Sequence, residues 1–180
     1  FAIAAPSPAN YPEGVAKGID EIVQWQPTAV ISLAIGASGI PFYKGLRLRW
    51  KAPAFSISFL GSRPLLAALG EAATGITVAQ GVPNPSNPSI PVVRAYQEAI
   101  KKLGGVEVGY SSLEGYVNAR ILLEALRRAG RNGTREKLVE AMHSMRPYDM
   151  GGFEVRYGPN DHSGTDFVEL TYFNGERFRR

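Results

Sequence analysis

The chain has no cysteine. Disulfide cross-links, thiol nucleophiles and cysteine-based metal sites are therefore excluded, although the compartment stays open because many exported proteins also lack cysteine. No apolar run approaches the ~18 residues that a membrane-spanning helix needs. There are two histidines, His143 and His162, and no P-loop or G-x-G-x-x-G phosphate cradle is present. Ser111 and Ser112 have no G-x-S-x-G elbow around them, so they read as a helix start rather than a nucleophile. The net charge is only +4, and the densest basic group is the terminal Arg177, Arg179 and Arg180. That scatter argues against nucleic acid as a partner.

What remains is an ordinary globular composition over 180 residues. This is long enough for one domain or two small ones, with roughly 70% of the unfolded surface buried. Residues 1–5 suit a short strand. The opening "FAIAAPSPANYPEG" lacks the marks of a signal peptide, so the expectation is a chain that starts inside a domain.

Val15, Ile19, Ile22 and Val23 recur at helical spacing and predict an amphipathic helix over 12–26. "AVISLAIGAS" follows, apolar at nearly every position, as expected of a strand buried on both faces of a parallel sheet. A weak helix over 40–50, the strand "APAFSISF", a short helix over 63–70 and the strand "GITVAQGV" continue the alternation. The first 82 residues thus read as consecutive β/α units of a doubly wound sheet.

Residues 90–145 are helix-rich. A helix is predicted over 90–103. Ser111 and Glu114 form an S-x-x-E capping box for the next helix, which Gly130 ends. At most a short strand falls near 106–110. Thr134 can cap a further helix that packs through Leu138, Met142 and Met145. In the tail, "GGFEVRYG" and "DFVELTYF" read as strands, and Asn174-Gly175 as a hairpin turn. "GPNDHSG" over 158–164 reads as a breaker. His162, with Asp161 and Asp166, reads as a solvated turn and not a metal site, which needs three or four converging ligands.

Four prolines, Pro83, Pro85, Pro88 and Pro91, crowd the stretch "GVPNPSNPSIP". Composition alone allows two readings, an exposed loop or a stiff crossing between two lobes.

These blocks carry a family resemblance. "EGVAKGIDEIVQWQPTAVISLAIGASGIPFYKGLRLRWKAPAFSISFLGSRPLLAALG", "SIPVVRAYQEAIKK", "YSSLEGYVNARILLEALRRAG", "TREKLVEAM" and "YDMGGFEVRYGPNDHSGTDFVELTYFNGERF" together resemble the C-terminal half of a type I periplasmic binding protein. The group they are most similar to is the branched-chain amino acid (Leu/Ile/Val-type) substrate-binding proteins of ABC importers. The resemblance implies an α/β fold of two lobes, each with a doubly wound parallel sheet, crossed three times by the chain and present here only in part. On that map, 1–80 is most of lobe two and 81–91 an inter-lobe crossover. Residues 92–150 are the closing helices of lobe one, 151–164 cross back, and 165–180 finish lobe two. A partial chain would also expose faces that are normally covered, with a risk of association.

The function implied is non-enzymatic: capture of a small ligand (amino acid, amide, or aromatic or aliphatic carboxylate) in an inter-lobe cleft by hinge closure, for delivery to a membrane permease. It needs no cofactor and no metal. The expected location is periplasmic, or extracytoplasmic and lipid-anchored in a Gram-positive. The alternative is a sensory receptor or regulator domain of the same fold, against which the end at "GERFRR", without a signalling extension, is the expectation. An α/β enzyme is a third reading, which the lack of a nucleophile–base constellation argues against.

Ligands of open α/β sheets sit outside the carboxyl ends of strands. Two such loops are in view: Ala34, Ile35 and Gly36, and then Ser58 and Phe59. In the family the second loop commonly supplies an acidic residue for the ligand's ammonium, and the first an aromatic. Here Ser58 stands in one place and Ala34 or Ile35 in the other. Serine cannot neutralise a buried ammonium. The expectation shifts from an α-amino acid toward an amide or an aliphatic or aromatic carboxylate, with Phe59 stacking on a ring. The plainer alternative is that Ser58 and Phe59 are loop and core residues with no ligand role.

Overall fold

A computed structural model describes residues 11–145, 147–175 and 178–179; the predicted strand over 1–5 lies outside them. The chain divides into two units, one running to Gln80 and resuming at Glu169, the other spanning Gly81–Val168.

In the first unit, α1 (Tyr11–Trp25) leads to β1 (Val30–Ile31), α2 (Gly36–Arg49), β2 (Ala54–Ile57), α3 (Ser62–Leu69) and β3 (Ile76–Gln80). After the second unit, β7 (Glu169–Phe173) and β8 (Phe178–Arg179) return to it. Its five-stranded sheet has the order β1-β2-β3-β7-β8, parallel from β1 to β3 and antiparallel beyond. Ala54, Ile76, Val78 and Phe173 point to one face and form a core with Tyr43 of α2 and Leu65 of α3. Burying a side chain the size of Val78, Leu65, Ile76 or Phe173 stabilises the fold by about 1.5–3 kcal/mol.

The opposite face is a correction to the reading of "AVISLAIGAS". Its strand is two residues long, and Ile31 is 78% exposed. Leu33, Leu170 and Tyr172 are exposed as well. The topology explains this. The crossovers β1–α2–β2 and β2–α3–β3 step the same way across the sheet, and right-handed connections of that kind lay both helices on one face. The row Ile31, Phe55, Thr77 and Tyr172, aligned by strand register, falls on the other.

Arg47 holds this unit together at the amino ends of its strands. Its guanidinium donates to the carbonyls of Ala52 and Ala72, each at 3.0 Å, and to that of Thr74. Burial lowers its pKa.

In the second unit, α4 (Pro91–Leu103), α5 (Tyr110–Ala129) and α6 (Arg135–His143) precede a three-stranded sheet of β4 (Tyr148–Asp149), β5 (Glu154–Gly158) and β6 (Asp161–Gly164). Val92, Val93, Tyr96, Leu113, Val117, Phe153 and Val155 form its core. The proline stretch is a pair of turns. Asn84 and Asn87 accept the N–H groups of Ser86 and Ser89 through their side-chain oxygens, and Val82, Pro83 and Pro85 are buried.

Two local expectations change here. α5 starts at Tyr110 behind Gly109, with no side-chain cap, so Ser111 and Glu114 do not form the predicted box. The buried Tyr96 hydroxyl takes over that end, accepting the Gly109 N–H at 2.9 Å and sharing a 2.6 Å hydrogen bond with Ser112. The "GPNDHSG" breaker is in fact mostly strand β6, paired with β5, and the chain re-enters the first unit only at Glu169. Thr134 does cap α6, accepting from Lys137 N–H.

Candidate ligand-binding site

Both candidate loops leave the carboxyl ends of parallel strands in the first unit. The first runs from Ser32 to Ile35. Ser32 is buried, and its hydroxyl accepts the Ala34 N–H at 3.2 Å. Ser38, one turn into α2, donates to the Ile35 carbonyl at 3.0 Å. The loop is thus held by serines two and three residues away along the chain. Ala34 is half-buried and Ile35 is 46% exposed. α2 then begins at Gly36, and no side chain caps its start. The free N–H groups of a helix start favour negative charge nearby.

The second loop is a single 3₁₀ turn, Ser58–Leu60, closed by Gly61 N–H donating to the Ser58 carbonyl at 2.9 Å. Its three side chains divide the work. Leu60 is buried in the core, Ser58 is half-buried, and Phe59 is 70% exposed. Phe59 therefore stands outside the core of the first unit. Gly61 has φ 78° and ψ 123°, a conformation open to glycine and costly for other residues. It turns the chain into α3.

The structure brings the two loops together over Gly39, a residue that reading the sequence did not single out. A Cβ built at Gly39 would lie 2.4 Å from Leu60 Cδ1 and 2.8 Å from the Ala34 carbonyl oxygen. Only a residue without a side chain lets the first turn of α2 lie against both loops. A glycine inside a helical segment was the available signal. Tyr43 was also missed. It is fully buried, and its hydroxyl donates to the Phe55 carbonyl at 2.8 Å. Burial pushes its pKa up, against the opposing effect of the Ser56 and Ser32 hydroxyls, so it stays neutral and acts as a strut.

Neither loop carries a charged residue: the first reads "SLAIG" and the second "SFLGS". Together they present a hydroxyl, an exposed aromatic ring and aliphatic edges.

His143 and His162 belong to the second unit. Their rings stack, with centroids 5.3 Å apart and planes 6° from parallel. They edge a mostly apolar groove of about 490 Å³ that Ile121, Leu138 and Met142 also line. His162 therefore lies on strand β6, not on a turn. Among the described residues, no group of three or more His, Cys, Asp or Glu is placed to hold a metal ion, and no helix is long and apolar enough to cross a membrane.

Known structures share this architecture. A possible leucine/isoleucine/valine-binding protein from Rhodopirellula baltica superposes with a TM-score of 0.83 at 26% identity, over 91% of this chain and 46% of its own. A substrate-binding periplasmic protein from Ralstonia solanacearum gives 0.79 at 29% identity, over 88% and 46%. A branched-chain amino acid ABC transporter protein from Thermus thermophilus with bound valine gives 0.74 over 91% and 47%; at 21% identity it speaks to the fold alone. The chain spans about half the length of these structures. No curated protein matches the sequence. The periplasmic binding protein family model matches residues 7–175, nearly the whole chain, and with the α/β architecture this shows that the chain belongs to that family.

Proposed function

We propose that the chain serves as part of the extracytoplasmic solute-binding component of an ABC importer, binding without turnover. A small ligand is held against the Ala34–Gly36 and Ser58–Phe59 loops, hinge closure of the whole binding protein completes capture, and the partner is a membrane permease. Membership of the periplasmic binding protein family, and the likeness to a possible leucine/isoleucine/valine-binding protein and a substrate-binding periplasmic protein, support the solute-binding role.

The observation that carries the ligand proposal is the second loop. It offers Ser58 and a 70%-exposed Phe59 where an ammonium would need a carboxylate. The ligand class is therefore an amide or a carboxylate with an aliphatic or aromatic body. The α2 start supports a carboxylate, which its N–H groups would favour.

A thermal-shift panel tests this, comparing aliphatic amino acids, their amides and aromatic carboxylates. A ligand at 100 times its Kd adds about 2.7 kcal/mol of stability, a shift of several degrees. A shift from compounds without an amine supports the proposal. A shift from free α-amino acids alone overturns the ligand class while leaving the binding role.

A further inference from the structure

Gln80 is the last residue of β3 and sits at the same sheet edge as the two loops. Register places Ile57 beside Ala79, so Gln80 lies alongside the start of the Ser58 turn. It is 1% exposed, and it shares its face of the sheet with the buried polar residues Ser56, Glu169 and Thr171. Its Nε2 donates to Ser62 Oγ at 2.9 Å and to Thr171 Oγ1 at 3.2 Å.

Thr171 carries the tie on to the sheet backbone, its hydroxyl donating to the Val78 carbonyl at 3.3 Å. The Gln80 Oε1 is buried without a hydrogen-bond partner among the described residues. An unpartnered buried acceptor is unfavourable, so the tie to Ser62 is not explained by stability alone.

We propose that Gln80 is a positioning residue for the second ligand loop, anchoring Ser62 to β3 and β7 and so holding the Ser58–Gly61 turn that presents Phe59. The loop would otherwise be free to move about Gly61. This role rests on the Ser58–Phe59 loop being a ligand contact, but the anchoring can be tested without a ligand.

Amide hydrogen exchange on the full chain is that test. The Gly61 and Leu65 N–H groups close the turn and start α3 by donating to the Ser58 and Gly61 carbonyls. Gln80→Leu deletes the tie together with the orphaned oxygen. Ser62→Ala deletes the tie but keeps the Gln80–Thr171 bond. Both substitutions should speed exchange at Gly61 and Leu65 roughly fivefold, the worth of about one hydrogen bond. Exchange in the β3–β7 ladder should stay unchanged, and the melting temperature of Gln80→Leu should hold or rise. Unchanged loop exchange, or an equal increase throughout the sheet, overturns the proposal.

Titration with L-valine, its amide and phenylacetate then reads affinity. A weaker Kd in Gln80→Leu at an unchanged melting temperature supports positioning, and an unchanged Kd overturns it. Should none of these bind the complete, unsubstituted binding protein, the ligand reading fails, while hydrogen exchange still decides the anchoring.

Discussion

The two candidate loops leave neighbouring strands at the same edge but are held in different ways. The Ser32–Ile35 loop is tied by serine hydroxyls two and three residues away in sequence. The Ser58–Leu60 turn depends on Gly61 and on a contact reaching from Ser62 to Gln80, eighteen residues on. Short-range ties form whenever the local chain adopts the right shape, whereas long-range ties exist only once the sheet is assembled. The second loop is therefore the one expected to respond to changes elsewhere in the sheet, and it is the loop that carries the exposed ring.

Gly39→Ala should have the largest effect, because it presses on both loops at once. The Ala34 carbonyl that its Cβ would meet at 2.8 Å is backbone and cannot rotate away. A loss of about 1–3 kcal/mol is expected in urea unfolding, in the range of overpacked cores. An unchanged midpoint would show that the two loops do not share this wedge.

Gly61→Ala separates the loops. Its backbone conformation costs a side-chain-bearing residue about 1–3 kcal/mol, and the Cβ also meets Pro64 Cδ at 3.1 Å. Ligand affinity should fall with it, whereas the amide exchange of Ala34 should not change. Ser32→Ala is the converse: it frees the Ala34 N–H, costs about 1 kcal/mol, and leaves exchange at Gly61 as it was.

Phe59→Ala should barely change stability, within about 0.5 kcal/mol for an exposed side chain, yet weaken ligand binding measured by calorimetry. Unchanged affinity would remove Phe59 from the site.

The smallest effect concerns a purely local contact far along the chain, in α5. Arg127 and Arg128 hold the Glu124 carboxyl at about 2, below its ordinary 4.5. A depressed carboxyl pKa contributes stability above its unfolded value, and that contribution is lost as pH falls from about 4.5 toward 2. In an acid titration of helicity, Glu124→Gln should differ slightly from the unsubstituted chain near neutral pH and converge with it at the acid end. An equal difference at every pH would sink the assignment.

The helices were legible because their information is local and periodic. α1 and α4 follow from apolar residues at helical spacing, and Thr134 from cap chemistry. The Asn174-Gly175 hairpin between β7 and β8 was readable for the same reason. The S-x-x-E pattern at Ser111 misled because Tyr96, fourteen residues upstream of Tyr110, already serves that helix start. "AVISL" misled because its apolar residues say only that a strand is suited to burial, not which face a helix will cover.

The site divides along the same line. Position after a strand marked the Ala34–Gly36 and Ser58–Phe59 loops as candidates, and the absence of a carboxylate there bears on the proposed ligand only through the family resemblance. Gly39 and Gln80 came into view only in three dimensions, since nothing near them in the chain says what they approach. By itself the sequence determined the α/β order, the helices and the uncharged character of the two loops, because periodicity and residue chemistry act over a few neighbours. Only the tertiary structure decided that Phe59 stands exposed, that Gly39 wedges both loops and that Gln80 reaches Ser62, because each depends on strands paired far apart in the chain.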